Sequence, residues 1–196
     1  RTYWLMTAIL GLLLAASGVH AQQTYPTRPI RLIVPFPSGG QTDIVARMLA
    51  QKLTETFKQT VVVDNRPGGG GTIGTEIAVR TNPDGYSMIM VSASYATNAS
   101  LYKLSYDPVN DVVPIVLIGE TGFVVTVNLS GHIKSVKELI AHDKANPGKL
   151  NYASGGTGSS THFATELFNQ MAGTRMTHVP YKGASAGVSD LLGGRI

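Results

Sequence analysis

The chain has no cysteine among its 196 residues. This absence excludes disulfide bonds, thiolate metal sites and a lipid anchor on an N-terminal cysteine, so a packed core must hold the fold together. Charged residues are also few, at 14% of the sequence, and the formal net charge is +4. The basic residues are scattered and not interleaved with aromatics, so nucleic acid is not an expected partner, whereas a small acidic ligand is compatible with this charge.

Long hydrophobic runs are absent too, with one short exception at the N-terminus. Residues 4–14 are apolar but too few to span a bilayer, and Val19, His20 and Ala21 follow as a small-x-small cleavage signal. We therefore predict that residues 1–21 are a secretory signal peptide cleaved after Ala21, and that the exported product is soluble. Because the first residue is Arg1 and not methionine, we expect the extreme N-terminus to be missing.

Short β-branched runs alternate with segments of helical periodicity from residue 30 onward, which predicts an α/β fold with parallel strands. The predicted strands span residues 30–34, 60–64, 86–91, 112–118, 123–127, 150–153 and 176–181. A helix follows the first strand, and its apolar stripe consists of Ile44, Val45, Met48, Leu49 and Leu53. Further helices are predicted around residues 73–80, 135–146, 163–171 and 185–192, and the second of these four opens with a Ser135–Glu138 capping box.

This pattern divides the chain into two expected lobes. We assign residues 22–108 to the first lobe and residues 109–196 to the second, with the runs at 112–118 and 123–127 as strands that link them. The sequence stops just after Gly193 and Gly194, where another strand is expected. We therefore expect a C-terminally truncated chain in which both lobes are incomplete.

Two glycine-rich turns, residues 38–43 and 154–162, each follow a predicted strand and open a predicted helix. Free N–H groups and the positive end of a helix dipole converge at such turns, and glycine lets a ligand approach the backbone. Neutral hydroxyls surround the glycines and no Walker lysine is present, so a nucleoside triphosphate is not expected. The two turns predict two halves of one site that binds a small anion reversibly.

Asp43 lies within the first turn, and its role stays open at this stage. Its carboxylate could order the loop by accepting hydrogen bonds from backbone N–H groups. Alternatively, it could accept from a ligand ammonium or hydroxyl group, or hold a bridging water.

Three other patterns have a functional and an ordinary interpretation. Gly69, Gly71 and Gly74 fit a dinucleotide fingerprint, but no acidic residue follows the next strand, which favours a turn needed for packing or ligand access. Ser185 lies in a Gly-x-Ser-x-Gly nucleophile elbow, but no histidine follows it. The histidines are too dispersed for a metal motif, so we expect neither metal nor cofactor, and His162 is expected to cap a helix or line a pocket.

Several sequence blocks together resemble one known family. They are residues 34–43 (VPFPSGGQTD), 65–71 (NRPGGGG), 83–86 (PDGY), 146–154 (NPGKLNYAS) and 178–183 (HVPYKG), and the resemblance runs from about residue 25 to 196. These blocks are similar to those of the tripartite tricarboxylate transporter substrate-binding proteins, the Bug-type periplasmic receptors. The resemblance implies a two-lobed type II periplasmic binding protein fold that grips its ligand between lobes.

The same resemblance implies a function and a set of site residues. It implies a monomeric, non-enzymatic periplasmic receptor that captures a small mono-, di- or tricarboxylate and delivers it to the permease subunits of the transporter. The residues carried over as ligand-binding are Phe36, Ser38, Gly39, Gly40, Thr42, Asp43, Gly71, Thr72, Ser92, Ser94, Ser154, Gly155, Gly158, Ser159, Ser160, Thr161 and His162. The alternatives are a secreted α/β esterase that uses Ser185 and a nonfunctional fragment with exposed sheet edges.

Overall fold

The computed structural model describes residues 25–196, so the predicted signal peptide at residues 1–21 lies outside the described residues. Within the described residues, no helix is both long enough and apolar enough to cross a membrane.

A three-stranded parallel sheet forms the first half of the structure. Its strands are β1 (Ile30–Val34), β2 (Val61–Asn65) and β3 (Ser87–Ile89), in the order β2-β1-β3. The central strand has the sequence IRLIV, and four of its five residues are buried. A nearly continuous run of β-branched and aliphatic residues is typical of a parallel strand that is covered on both faces.

Three helices accompany this sheet: α1 (Gln41–Phe57), α2 (Thr72–Val79) and α3 (Ser94–Leu101). A short 3₁₀ turn, Gly69–Gly71, leads into α2. We call β1–β3 with α1–α3 the first lobe. Its core consists of Ile30, Leu32, Val34, Ala46, Ala50, Val61 and Met90.

The face that α1 presents to this core differs from the predicted one. Ile44 and Met48 are 54% and 65% exposed, so their predicted places in the buried stripe are wrong. Ala46 and Ala50 are buried instead, with Val45 and Leu49 packed partly against the core. Small alanines let the helix lie close to the strands, and the larger side chains cover the margin of the contact.

The second half of the structure repeats the α/β pattern on a smaller scale. It contains α4 (Val136–Ala145), β4 (Asn151–Ser154), α5 (Ser160–Ala172), β5 (Thr177–Pro180) and α6 (Ala184–Leu192). The two strands pair in parallel. We call these elements the second lobe.

Both of its long helices begin at a serine cap. The predicted capping box at α4 is confirmed, because the Oγ of Ser135 accepts a hydrogen bond of 3.1 Å from the backbone N of Glu138. The Glu138 carboxylate accepts from the N–H of Lys134 at 2.7 Å. At α5, Ser159 Oγ accepts from the backbone N of His162 at 3.3 Å. Each cap satisfies a donor that the first helical turn leaves without a partner.

Two sequence predictions fail between the lobes. Residues 112–118 and 123–127, predicted as strands, have no regular secondary structure, and Val113 and Val124 are 87% and 84% exposed. A strand requires a neighbour to complete its hydrogen-bond ladder, and within residues 25–196 no strand pairs with either run. Helix α3 lies in a stretch where the sequence analysis assigns no element, because its sequence, SYATNASL, has little hydrophobic periodicity.

Candidate functional site: a cleft between the lobes

A cleft of about 240 Å³ lies between the two lobes. Its walls are loops that follow β1, β2, β4 and β5, together with Tyr102 just after α3. In open parallel sheets, ligands bind outside the carboxyl ends of the strands, because the loops there can diverge around a ligand. The lining residues are Pro35, Phe36, Pro37, Pro67, Gly68, Gly69, Gly70, Gly71, Tyr102, Gly155, Gly156, Thr157, Tyr181 and Lys182.

Direct contacts hold the lobes together beside this cleft. The hydroxyl of Tyr102 in the first lobe donates to the carbonyl O of Thr157 in the second at 2.8 Å. Gly70 packs so closely against this loop that a Cβ on it would lie 2.6 Å from the same Thr157 oxygen. Gly183 makes a similar approach to Pro37 from the opposite lobe, with 2.1 Å from its virtual Cβ to Pro37 Cγ. At Gly70 and Gly183 the two lobes therefore approach each other too closely for a residue with a side chain.

Helix α3 supports the Gly69–Gly71 turn from behind. Ser94 Oγ and Asn98 Nδ2 each donate to the carbonyl O of Gly70 at 3.1 Å, and both side chains are buried. The Oγ atoms of Ser92 and Ser94 are 2.9 Å apart, and Thr72 Oγ1 donates to Gly69 O at 3.0 Å. The carbonyl O atoms of Gly69 and Gly70 are therefore engaged within the protein.

The N–H groups of the same turn remain available. Within the described chain, no acceptor bonds to the backbone N–H of Gly68, Gly69 or Gly70, whereas the N–H of Gly71 bonds to Gly68 O at 3.0 Å. Gly70 is a buried residue, and a buried N–H group without a partner is costly. Three successive donors at the wall of a cleft are suited to the oxygens of an anion.

The N–H groups of Gly39 and Gly40 in the first predicted turn are used within the protein. Asp43 is 1% exposed, and its carboxylate accepts from Gly39 N at 2.8 Å, Arg47 Nε at 2.9 Å and Asn65 Nδ2 at 2.9 Å. Burial alone would raise the pKa of Asp43, but these hydrogen bonds and the charge of Arg47 lower it to about 2. Of the two roles left open by the sequence, this geometry favours ordering of the loop.

The N–H groups of Gly155, Gly156 and Gly158 in the second predicted turn are also occupied. Gly155 N donates to Thr161 Oγ1 at 2.9 Å, and Gly156 N donates to Ser154 Oγ at 3.0 Å. Gly158 N donates to His162 Nδ1 at 3.2 Å. Side chains of α5 and β4 thus fix the shape of this turn.

A stack of three rings lies beneath the second turn. The rings of His162 and His178 are 4.1 Å apart and nearly parallel, and Tyr152 stacks on the other side of His178 at 4.9 Å. His178 Nε2 is 2.6 Å from Ser154 Oγ, and the Tyr152 hydroxyl donates to Glu166 Oε1 at 2.5 Å. Burial lowers the pKa of His178, and the neighbouring His162 lowers it further, against a smaller opposing effect of Glu166.

The structure places the residues carried over from the family resemblance in two groups. Phe36, Gly71 and Gly155 line the cleft. The others form its support or its surroundings: Ser38, Gly39, Gly40, Thr42, Asp43, Thr72, Ser92, Ser94, Ser154, Gly158, Ser159, Ser160, Thr161 and His162. Most polar members of this second group are engaged in hydrogen bonds within the protein.

Sequence reasoning missed several lining residues, above all Tyr102, Tyr181 and Lys182. A signal existed for the glycine turn, since Pro67 and four glycines come one residue after the end of β2. Ligand access was one interpretation of that signal. Gly74 has a separate packing role, because a Cβ there would lie 2.6 Å from Arg66 O and 2.7 Å from Pro35 Cα. Tyr102 carries no such signal, because it lies after a helix that the sequence did not predict.

Ser185 lies on the exposed first turn of α6. Among the described residues, no histidine is within hydrogen-bond distance of its hydroxyl. His162 and His178 use ring nitrogens in hydrogen bonds with the second turn. No histidine in the described part of the chain is therefore in place as the general base that a serine nucleophile requires.

Two α/β lobes with a cleft between the carboxyl-end loops of their parallel strands define a bilobal binding protein. The sequence model of the tripartite tricarboxylate transporter family receptor matches residues 45–196, and the chain belongs to this family. One curated relative is the protein BugT of Bordetella pertussis, which is 40% identical over 195 residues that cover 96% of this chain and 60% of BugT.

Solved structures agree with this assignment. A protein of R. palustris solved with adipate has a TM-score of 0.84 and 38% identity, covering 88% of this chain and 58% of that one. The periplasmic binding protein BugD has a TM-score of 0.78 and 37% identity over the same shares. MatC from Rhodopseudomonas palustris, solved with bound malate, has a TM-score of 0.77 and 27% identity, covering 88% and 59%. The fold is thus that of the periplasmic binding proteins, and the chain spans about three fifths of the length of these relatives.

Proposed function

We propose that this protein is a periplasmic solute receptor that captures a small carboxylate between its lobes and delivers it to the permease of a tripartite tricarboxylate transporter. The observation that carries the proposal is the Gly68–Gly70 turn. At the wall of an interlobe cleft, it carries three main-chain N–H groups that have no acceptor in the part of the chain that the structure describes. Carboxylate oxygens accept hydrogen bonds from such groups without any change in protonation.

The rest of the lining is suited to the carbon skeleton of such a ligand. Phe36 and three prolines contribute apolar surface, and the tyrosines contribute rings with a polar end. Pockets of this kind bind through apolar contact and use a few polar groups for orientation. Two relatives of similar fold were solved with adipate and with malate, both small dicarboxylates, which supports the same ligand class here.

Reversible binding is supported by what the cleft contains. In the part of the chain that the structure describes, the lining includes no serine, histidine, aspartate or glutamate. A hydrolytic site needs a nucleophile and a base within hydrogen-bond reach of each other. The lining groups can instead orient and desolvate a ligand as the lobes close around it.

Export and delivery complete the proposal. A receptor that serves a membrane permease works outside the cytoplasm, which is consistent with the predicted signal peptide cleaved after Ala21. The relatives named as periplasmic proteins support the same location. N-terminal sequencing of the protein recovered from the periplasm tests the cleavage site, and a mature chain that begins elsewhere would correct it.

A thermal-shift screen tests the binding function. Adipate and malate should raise the melting temperature, because a ligand at about 100 times its Kd adds about 2.7 kcal/mol of stability. For a domain of this size that corresponds to roughly 5–10 °C. Adipamide, which has the same skeleton without charge, is the matched control and should give little shift. Equal shifts with adipamide and adipate would contradict carboxylate recognition.

A further inference from the structure

The buried side chain of Asn98, in α3, lies between the glycine turn of the first lobe and Gly158 of the second lobe. We propose that Asn98 is a positioning residue that couples the Gly68–Gly70 donors to the second lobe, so that a ligand bound to the turn also draws the lobes together. This inference rests on the proposed function and adds to it the side chain through which both lobes respond to the ligand.

One end of the Asn98 side chain holds the glycine turn. Asn98 Nδ2 donates to the carbonyl O of Gly70 at 3.1 Å, beside a second hydrogen bond of 3.1 Å from Ser94 Oγ to the same oxygen. Glycine loses more conformational freedom on ordering than any other residue, and Gly70 has a φ of +63°. Two buried donors on one carbonyl group therefore hold the turn in one conformation before a ligand binds, which lowers the entropy cost of binding.

The other end of the side chain faces the second lobe. A carbonyl oxygen only accepts, so the Asn98 atom next to Gly70 O is the amide nitrogen and the remaining atom is the acceptor Oδ1. This oxygen is buried and has no hydrogen-bond partner in the part of the chain that the structure describes. A Cβ on Gly158 would lie 2.9 Å from it, and a Cβ on Gly70 would lie 3.4 Å from it. Oδ1 is thus located in the contact between the lobes.

A buried acceptor without a donor is costly, so a conformation that supplies a donor gains free energy. The main-chain N–H of Gly158 belongs to the residue that Oδ1 contacts. In this structure it donates to His162 Nδ1 at 3.2 Å, at the long end of the range for such hydrogen bonds. Closure of the lobes around a ligand would turn this N–H towards Oδ1. Asn98 would then hold a main-chain group of each lobe at the same time.

Hydrogen–deuterium exchange measured by mass spectrometry tests this coupling, because it reports on each lobe separately. In the unmodified protein, saturating adipate should slow exchange in residues 67–72 of the first lobe and in residues 155–160 of the second. Asn98→Ala should bind adipate about tenfold more weakly in isothermal titration, the effect of about one hydrogen bond. At saturating adipate, exchange in this variant should be slowed in residues 67–72 only.

Two control variants isolate the contribution of Oδ1. Ser94→Ala removes the other donor to Gly70 O and leaves Oδ1 in place. It should weaken adipate binding about threefold and keep the slower exchange of residues 155–160. Asn169→Ala removes a buried asparagine of α5 outside the cleft lining, where Oδ1 accepts from Thr174 Oγ1 at 2.8 Å. It should lower the melting temperature and change neither the adipate affinity nor the exchange pattern.

The outcomes separate this inference from the proposed function. If Asn98→Ala binds adipate within twofold of the unmodified protein, Asn98 is not a positioning residue. If it binds weakly but adipate still slows exchange in residues 155–160, Asn98 supports the first lobe alone and the coupling is overturned. Loss of that slower exchange in Ser94→Ala as well would assign the effect to the turn and not to Oδ1. If the unmodified protein does not bind adipate, the proposed function fails first.

A second variant covers the case in which Asn98→Ala does not fold. Asn98→Ser keeps a small polar side chain that is too short to reach both Gly70 and Gly158. The same losses of adipate affinity and of slower exchange in residues 155–160 are expected for it, and their absence would overturn the inference.

Discussion

Substitution of Gly70 by alanine tests whether the contact between the lobes controls ligand binding. Gly70 has a φ of +63°, and a Cβ there would lie 2.6 Å from the carbonyl O of Thr157 in the other lobe. An ordinary contact begins at about 3.4 Å. The Thr157 loop must therefore retreat by several tenths of an ångström, away from the cleft that it helps to form.

The loss of stability expected for Gly70→Ala has two contributions, and a matched control variant separates them. An alanine in the left-handed region costs about 1–2 kcal/mol through backbone strain, and overpacking of a close contact costs about 1–3 kcal/mol more. Gly173, the C-cap of α5, has nearly the same φ of +66°, but its virtual Cβ meets only the flexible end of Lys144 at 3.6 Å. Gly173→Ala therefore carries the strain without the clash between lobes.

The assay compares melting temperature and adipate affinity in the two variants. Both should melt a few degrees lower than the unmodified protein, with Gly70→Ala lower by about 2–4 °C for each additional kcal/mol. Only Gly70→Ala should lose ligand affinity, by about tenfold or more, since 1.4 kcal/mol is a factor of ten. If Gly70→Ala binds adipate as well as Gly173→Ala does, the contact between Gly70 and the Thr157 loop has no part in binding.

Three further predictions follow from single contacts. Tyr102→Phe removes the 2.8 Å hydrogen bond to Thr157 O and should weaken adipate binding about fivefold by calorimetry, since one such bond contributes about 1 kcal/mol; an unchanged Kd would contradict this. Asp43 has its pKa lowered from 3.8 to about 2, so its stabilisation is present above pH 3.8 and lost as the pH falls through 2. In urea unfolding, Asp43→Asn should lower the free energy of unfolding by about 2 kcal/mol at neutral pH and make it depend less on pH in the acid range. An equally steep loss of stability at acid pH would argue against this role of Asp43. The pKa of His178 is also lowered, so its contribution to stability should be complete above about pH 6.5 and should fall on acidification, because the unfolded chain binds the proton more readily. The melting temperature of His178→Gln should therefore depend less on pH than that of the unmodified protein. An identical dependence of melting temperature on pH would exclude His178 as the cause.

The sequence predicted those elements whose signals are local. The β-branched runs of β1 and β2 and the serine cap of α4 lie within one residue of their predicted positions. Strand β1 was recognisable because it is buried on both faces, and its buried run needs no knowledge of its neighbours. Helix α3 was missed, since its contacts with the glycine turn come from Ser94 and Asn98, and polar contacts leave no hydrophobic period.

The candidate site was less predictable for a different reason. Glycine turns were correctly recognised as features of the strand ends, but whether a turn's N–H groups are free depends on side chains that lie elsewhere in space. Asp43 accepts from Gly39 N in the first predicted turn, and His162 accepts from Gly158 N in the second. Among the described residues, the N–H groups of Gly68, Gly69 and Gly70 have no acceptor, and α3 binds only the carbonyl side of their turn. Which side chains accept from the N–H groups of a turn is decided by three-dimensional packing and cannot be read from sequence spacing.

The exposed connection between the lobes has a consequence for how the protein behaves in concentrated solution. Between Ile115 and Val127 the only charged side chain is Glu120, and in the described structure this stretch makes no hydrogen bond between main-chain groups. Main-chain N–H and C=O groups that lack partners in a valine-rich segment can pair with the same segment of other copies and form cross-β aggregates. Colloidal stability should therefore depend on protein concentration much more steeply than the modest surface charge would suggest.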